Sequence, residues 1–421
     1  MNIWLVNHYA NAPTAPGDAR HFSHARELIR RGNKVRVIAC SYHHLTHEHI
    51  PMAAKRRWEH QVLDGVPFTW IRASPYEQHA AARVRNMFQF SLSTAKLDWA
   101  ADLTAPDLIL GSSPHPFAAL AAERIAARFG VPFVLEIRDL WPYVLTEVGG
   151  YSKHHPFVIM VDRTMRHLYS RAASIIMFSR DSRDLLIASG AAAEKILWIP
   201  HGVDLMMNPQ PRPAPADGVF TVTYIGAHNR WNDLDPILDA AKLLQSSSQI
   251  KIVFRFVGDG ACRPALIRRV ETEGIANAEF LGARPKNEIP ALLHSSDAFI
   301  LNNRVDEVSK GWMSFNKVYE YLAAGRPVVF GCCTPINPVH ESGAGLLVDA
   351  GNATQIAKAV EALASQCPER LEQLGHQGRL HIEQHYDVRY LVDRFEAMAF
   401  QIACLRSQPV SPEQVHLPTQ I

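Results

Sequence analysis

The 421-residue chain lacks most of what would commit a protein to a membrane span, a nucleic acid or a disulfide scaffold. No uncharged apolar stretch reaches the roughly 18–20 residues that cross a bilayer, and no secretory leader precedes the first apolar run, so any membrane contact is expected to be peripheral. The six cysteines, Cys40, Cys262, Cys332, Cys333, Cys367 and Cys404, form no C-x-x-C pair. Reduced thiols of a cytoplasmic protein are the expectation. There is no long basic run and no zinc spacing, which argues against nucleic acid as a partner and against a metal site. Charge of either sign is also nearly absent as a surplus, at +2 overall, but it is unevenly divided. Residues 1–205 carry 23 Lys and Arg against 18 Asp and Glu, and 14 of the 21 histidines; the remainder carries 20 against 23. That half gains charge in mild acid and suits an anionic partner such as a phospholipid surface, although an ordinary surface shows a scattered excess of this size too.

What the chain does have is alternation. Its length exceeds what one core fills, so two domains of about 200 residues are expected. Asn2–Val6 reads as an apolar strand, followed by a loop with Pro13, Pro16 and Gly17, a helix with Phe22, Ala25, Leu28 and Ile29 on one face, and a strand from Lys34. The unit recurs at 108–110, 117–128 and 133–137, then at 174–178 with 183–188. Residues 43–100 are less regular, with an apolar patch at Met87, Phe88, Phe90 and Leu92 that packs on the sheet or, on the membrane reading, inserts partly into lipid. A strand and turn at 195–204 and a proline-rich stretch at 208–218 close the first half. Strands at 219–225, 252–257 and 298–301 and helices at 234–244 and 263–273 then repeat the pattern, and helices at 368–385 and 388–404 end it. The expected architecture is α/β: two doubly wound Rossmann-like domains facing a cleft, with ligands at the carboxyl ends of the strands. The expected boundaries are 1–205, a linker at 206–218, 219–385, and 386–421 as a closing helix and tail.

The densest signal is SFNKVYEYLAAGRPVV, residues 314–329. Ser314 suits a helix N-cap and Gly325 a stop before Arg326-Pro327. Lys317 in the first turn opposes the helix dipole at a cost of about 0.3–1 kcal/mol, a sign that a bound phosphate would reverse. Glu320 stands one turn further along the same face, placed to accept hydrogen bonds from a ribose. A buried amphipathic helix with a solvated Lys–Glu pair has the same spacing. The run resembles the donor-binding helix of retaining glycosyltransferases of family four, which have the GT-B fold. In that family two glutamates separated by seven residues flank the helix start; Glu320 matches the second, and Trp312 stands where the first would be. Phe315-Asn316-Lys317-Val318-Tyr319-Glu320 looks like a variant of the "PSK-x-x-E" start of WbuB-type surface-polysaccharide transferases. The segment 196–204 is similar to the family's interdomain signature, with His201 in place of Asn.

That resemblance implies a donor site in the second domain built from Gly226, Gly258, Leu281, Ser314, Phe315 and Asn316, with Gly17 of the first loop approaching the diphosphate. Lys317, Glu320 and Arg230 are the expected catalytic set, Arg230 being the nearest cation where Ala227 and Asn232 stand in the places of the family's phosphate-binding residues. The acceptor side is expected at Asp18, His115, Arg138 and Asp139, since "RD-x-WP" resembles the acceptor loop of the WbuB-like subset; as structure alone, Arg138-Asp139 with Trp141-Pro142 also makes a rigid corner. The implied reaction moves a sugar, N-acetylhexosamine being one option, from a UDP-linked nucleotide donor to a hydroxyl of a glycan or polyprenyl-linked glycan. It uses no metal and no cofactor, and it takes place in the cytoplasm or at the inner face of an anionic membrane. A donor phosphate oxygen is expected to take the acceptor proton, with His115 and Asp139 as the nearest side-chain bases. A non-hydrolysing nucleotide-sugar epimerase and a non-catalytic nucleotide-sugar sensor remain as alternatives.

Overall fold

A computed structural model describes residues 1–15, 17, 19–50, 52–53, 56–76, 80–205, 218–303, 316–332, 334 and 337–407. The chain divides into two compact units, Met1–Pro200 together with the chain from Leu391, and His201–Tyr390. The linker expected at 206–218 lies, but for Gly218, outside the described residues.

The first unit is built on eight strands: β1 (Asn2–Val6), β2 (Lys34–Cys40), β3 (Trp58–Leu63), β4 (Val66–Ile71), β5 (Leu108–Ser112), β6 (Phe133–Ile137), β7 (Ser174–Met177) and β8 (Ile196–Trp198). Their order is β3-β4-β2-β1-β5-β6-β7-β8, parallel except for the β3–β4 pair. Helices α1 (Arg20–Arg30), α2 (Ala80–Lys96), α3 (Pro116–Phe129), α4 (Pro156–Arg171) and α5 (Arg183–Ala188) supply the crossovers. Central strands are apolar almost throughout, as β1 and β5 show, because helices cover both faces of a parallel sheet. The second unit carries β9 (Phe220–Ile225), β10 (Ile252–Val257), β11 (Ala278–Gly282), β12 (Ala298–Asn302), β13 (Val328–Gly331) and β14 (Gly345–Val348), in the order β11-β10-β9-β12-β13-β14, every pair parallel. Its helices are α6 (Asp235–Ser247), α7 (Arg263–Glu273), α8 (Ile289–His294), α9 (Asn316–Ala323), α10 (Pro338–Ser342), α11 (Ala353–Ala364) and α12 (Pro368–His385). α13 (Val388–Ser407) starts in the second unit and runs on in the first, where Arg31 pairs with Asp393 and, at 2.9 Å, with Glu396. Two Rossmann-like domains with this topology make a GT-B fold.

Two sequence expectations are sharpened. Within residues 43–100, regular structure is found at 58–71, the β3–β4 hairpin turned by Asp64 and Gly65 at φ 44° and 80°, and at 80–96, the 17-residue α2. Met87 and Phe90 are 5% and 0% exposed and belong to the core, which agrees with the packing reading and removes them from the membrane alternative. Their burial follows the helix period, since α2 turns Asn86, Met87, Phe90 and Thr94 inward.

Candidate functional site

In a doubly wound sheet, ligands collect where the strand order reverses. For the second unit that point lies between β9 and β12, and its construction begins with glycine. Gly226 and Gly258 follow β9 and β10, and Gly282 ends β11. The Gly258 N–H donates to the Gly282 carbonyl at 2.9 Å, and the Gly226 N–H to the Val257 carbonyl at 2.9 Å. A Cβ on Gly258, whose φ is +134°, would stand 1.9 Å from the Gly226 oxygen. One on Gly226 would stand 2.2 Å from Cε of Lys317, so the missing side chain is the floor on which that lysine lies.

Lys317 is the second residue of α9 and reaches back over Gly226. Its Nζ donates to Asn232 Oδ1 at 3.0 Å and stands 5.9 Å from the centre of the Tyr224 ring. Asn232 is oriented for this: its amide nitrogen donates to the Ala227 carbonyl at 2.8 Å and to Asn229 Oδ1 at 3.0 Å, which leaves the oxygen for the ammonium. Burial pushes the lysine down to about 8, and the Glu320 carboxylate pulls it back up. Glu320 is exposed on the next turn. Arg230 is exposed in the same loop and makes no ion pair among the described residues. Leu281 lies in β11, half-buried, beside Phe280, which stacks on Phe256 at 4.7 Å and meets the edge of the buried His228 ring at 5.6 Å. Asn316 opens α9. Ser314, Phe315 and Trp312 lie outside the described residues.

The matching point of the first unit lies between β1 and β5, and imidazole fills it. His115 caps α3, accepting from the Ala118 N–H at 3.3 Å through Nδ1, with Pro116 next and Gly130 as the left-handed stop. Its Nε2 is 2.6 Å from His8 Nδ1. Because Nδ1 accepts, Nε2 carries the proton and donates it to His8. Both nitrogens of His115 are therefore engaged and the ring is fully buried, so the geometry does not favour it as the base that takes an acceptor proton. Burial, with the nearby Arg83, lowers it to about 3; burial also holds His8 well below the ordinary imidazole value, with His115, His44 and Arg83 adding to the effect.

Asp139 differs. Burial raises it to about 6 against the pull of Arg138 and Arg83. Arg138 is half-buried, its backbone N–H on Ser113 Oγ at 3.3 Å and its guanidinium 5.5 Å from the Phe178 ring. Below them Glu136 is held ionised, pairing with Arg20 at 3.0 Å and His21 at 3.1 Å and accepting from Ser112 Oγ at 2.8 Å. Gly17 has φ +95°, and a Cβ there would meet Asn11 Nδ2 at 2.8 Å. Asp18 lies outside the described residues. Sequence reasoning missed His8, Arg83 and the Arg20–Glu136 pair. His8 was findable in principle, standing two residues past β1 at a strand end.

Comparison with known proteins agrees with this architecture. Residues 22–202 match the glycosyl transferase 4-like domain and residues 219–366 match the glycosyl transferases group 1 family, so the chain belongs to the two-domain glycosyltransferases built from this pair. It is 22% identical over 261 residues to a protein of Escherichia coli K12 carrying the name colanic acid biosynthesis glycosyl transferase WcaI; the match takes in 58% of this chain and 63% of that protein's length. Among solved structures it resembles sucrose-phosphate synthase from Thermosynechococcus elongatus (TM-score 0.72, 15% identity, 96% of this chain and 99% of the other). It also resembles Anabaena HepE in complex with UDP and glucose (TM-score 0.63, 15% identity, 97% and 99%).

Proposed function

We propose that this protein transfers a glycosyl group, with retention, from a UDP-linked sugar to a hydroxyl of a glycan or polyprenyl-linked glycan in surface-polysaccharide assembly. The observation that carries the reading is the seat of Lys317. Where the family places a cation in the loop after the first strand of this domain, the chain has Asn232; the ammonium of Lys317 arrives at that same spot from α9. A half-buried ammonium, depressed by burial and bonded to a neutral amide, is poised for an anion. Negative charge grows on the leaving diphosphate as the glycosidic bond breaks, and a fixed cation beside helix-start amides stabilises it without a metal. Glu320 would accept from the ribose hydroxyls. Arg230 would close the outer side of the diphosphate, and Gly226, Gly258 and Leu281 would let backbone approach the nucleotide.

On the acceptor side Arg138 and Asp139 would orient the hydroxyl. With His115 spent on α3 and His8, the acceptor proton goes to a donor phosphate oxygen or to Asp139. The WbuB-like subset and the colanic acid relative both support a surface-polysaccharide setting, and the matched families favour transfer over the epimerase and sensor readings. Titrating UDP-sugars into Lys317→Met tests the clamp. Donor affinity should fall by about 1.5–3 kcal/mol, the worth of a charge-assisted hydrogen bond. In the wild type it should weaken as pH rises through about 8, where the ammonium is lost. Unchanged affinity in a folded variant would leave Lys317 with a structural role only, as the partner of Asn232.

A further inference from the structure

The first unit carries an unfinished apolar surface next to its proposed acceptor residues. Immediately after Arg138-Asp139 the chain leaves the sheet. Trp141 and Phe157 are only partly covered, packed on a core of Met87, Phe117 and Val161, and the buried Trp141 indole N–H has no hydrogen-bond partner among the described residues. The turn at Val144–Val148 contains no buried residue although three of its five side chains are apolar. Further along, Val148, Tyr151, Ile159 and Met160 are 39%, 46%, 36% and 37% exposed. Single exposed apolar residues are ordinary, but a run of this kind on one segment is not.

Charge surrounds this surface. α2 holds three basic residues and no acid, and residues 141–171 hold four basic against two acidic. Together they account for the whole cationic excess of residues 1–205, leaving the rest of that half neutral. Asp162 is taken up by Arg166 at 2.8 Å, whereas Lys153, Arg163, Arg85 and Lys96 make no ion pair among the described residues. On α4, Arg163 follows Ile159 and Met160 by one turn, so its long stem can lie along apolar surface while its head reaches phosphate.

We propose that residues 141–160, with the exposed faces of α2 and α4, dock this protein on an anionic phospholipid bilayer, the apolar tips in the acyl boundary and the cations at the headgroups. The proposal rests on the lipid-linked acceptor reading, which it deepens by naming the surface. Because the docking segment continues directly from Arg138-Asp139, an acceptor anchored in that bilayer presents its sugar beside those residues. No helix among the described residues is long and apolar enough to cross a membrane, so attachment is interfacial and depends on both components.

Co-sedimentation with phosphatidylglycerol–phosphatidylcholine vesicles, against phosphatidylcholine alone, tests it. The wild type should bind the anionic vesicles at low salt and lose them at high salt. Lys153→Glu and Arg163→Glu should each cut partition roughly fivefold or more. Ile159→Ser with Met160→Ser should cut it roughly tenfold or more, with unchanged circular dichroism and unchanged transfer to a water-soluble acceptor fragment. Leu243→Ser, an exposed apolar residue of the second unit, should change nothing. A wild type that ignores anionic vesicles overturns the proposal, as does a double serine variant that binds like wild type. So does a dimer in solution that Met160→Ser dissolves, because the surface is then a protein contact. Vesicle binding that follows these rules while no lipid-linked acceptor is ever glycosylated supports the surface and sinks the acceptor reading instead.

Discussion

The strand ends of the second unit carry glycine where those of the first carry imidazole. At Gly226, Gly258 and Gly282 the backbone is stripped of side chains so that one strand end packs on the next, and a single cation is laid across the gap. At His8 and His115 the equivalent space is closed by two rings that satisfy each other and cap a helix. One end leaves bare main chain beside a fixed ammonium; the other is prepacked with rings, with its ionisable groups, Asp139 and the two arginines, set to one side. The same topology thus makes one end by subtraction and the other by filling, and each can be broken in its own way.

The largest effect should come from refilling the empty end. Gly258→Ala puts a methyl into the Gly226 carbonyl at a φ that L side chains avoid, so the β9 and β10 ends must separate. Strain of this kind, with the overpacking added, costs about 3 kcal/mol or more, and donor binding should go with it. Chemical denaturation reads the stability and calorimetry with UDP reads the binding. Full affinity in this variant would mean that the nucleotide does not use this turn.

Charging the filled end comes next. His115 titrates near 3 in the folded protein and His8 well below its ordinary value, so between pH 6.5 and about 3 the unfolded chain binds more protons than the folded one. Stability therefore falls as pH falls, by up to about 1.4 kcal/mol per pH unit for each such histidine. His115→Asn keeps a side chain able to cap α3 and removes one titration. Its melting temperature should fall less steeply from pH 6.5 to pH 4.5 than that of the wild type. An identical slope would place the acid sensitivity elsewhere.

The contrast also explains what the sequence could and could not reveal. β10 and α7 were readable because an apolar run that stops at Gly258, and a helix opened by Arg263-Pro264 and stopped by Gly274, are local signals. The β3–β4 hairpin was missed although Asp64-Gly65 is itself a strong turn signal, because its outer strand is half polar and exposed on alternate residues. Lys317 and Glu320 stood out because a helix brings residues three apart together. Asn232 looked like a loss, since which atom its amide offers depends on acceptors at Ala227 and Asn229. The His8–His115 pair spans 107 residues and has no local trace at all. Glycine announces itself in sequence through what it must permit; a ring that fills space does so only once its neighbours are known.

The smallest effect should fall on Arg230, and it ranks the two cations of the proposed clamp. Lys317 is half-buried, held by Asn232 and laid on Gly226, so its geometry is fixed before any ligand arrives. Arg230 is exposed in the same loop and has no ion pair among the described residues, so binding an anion must first order a long side chain in water. An exposed pair made under those terms is worth about 0–1 kcal/mol and is screened by salt. Arg230→Ala should therefore weaken UDP-sugar binding less than fivefold, with most of the difference vanishing at high ionic strength, while Lys317→Met should stay costly in salt. If Arg230→Ala proves the worse of the two, the loop must close on the diphosphate and bury its arginine, and the donor end would owe its grip to movement of that loop rather than to the fixed lysine.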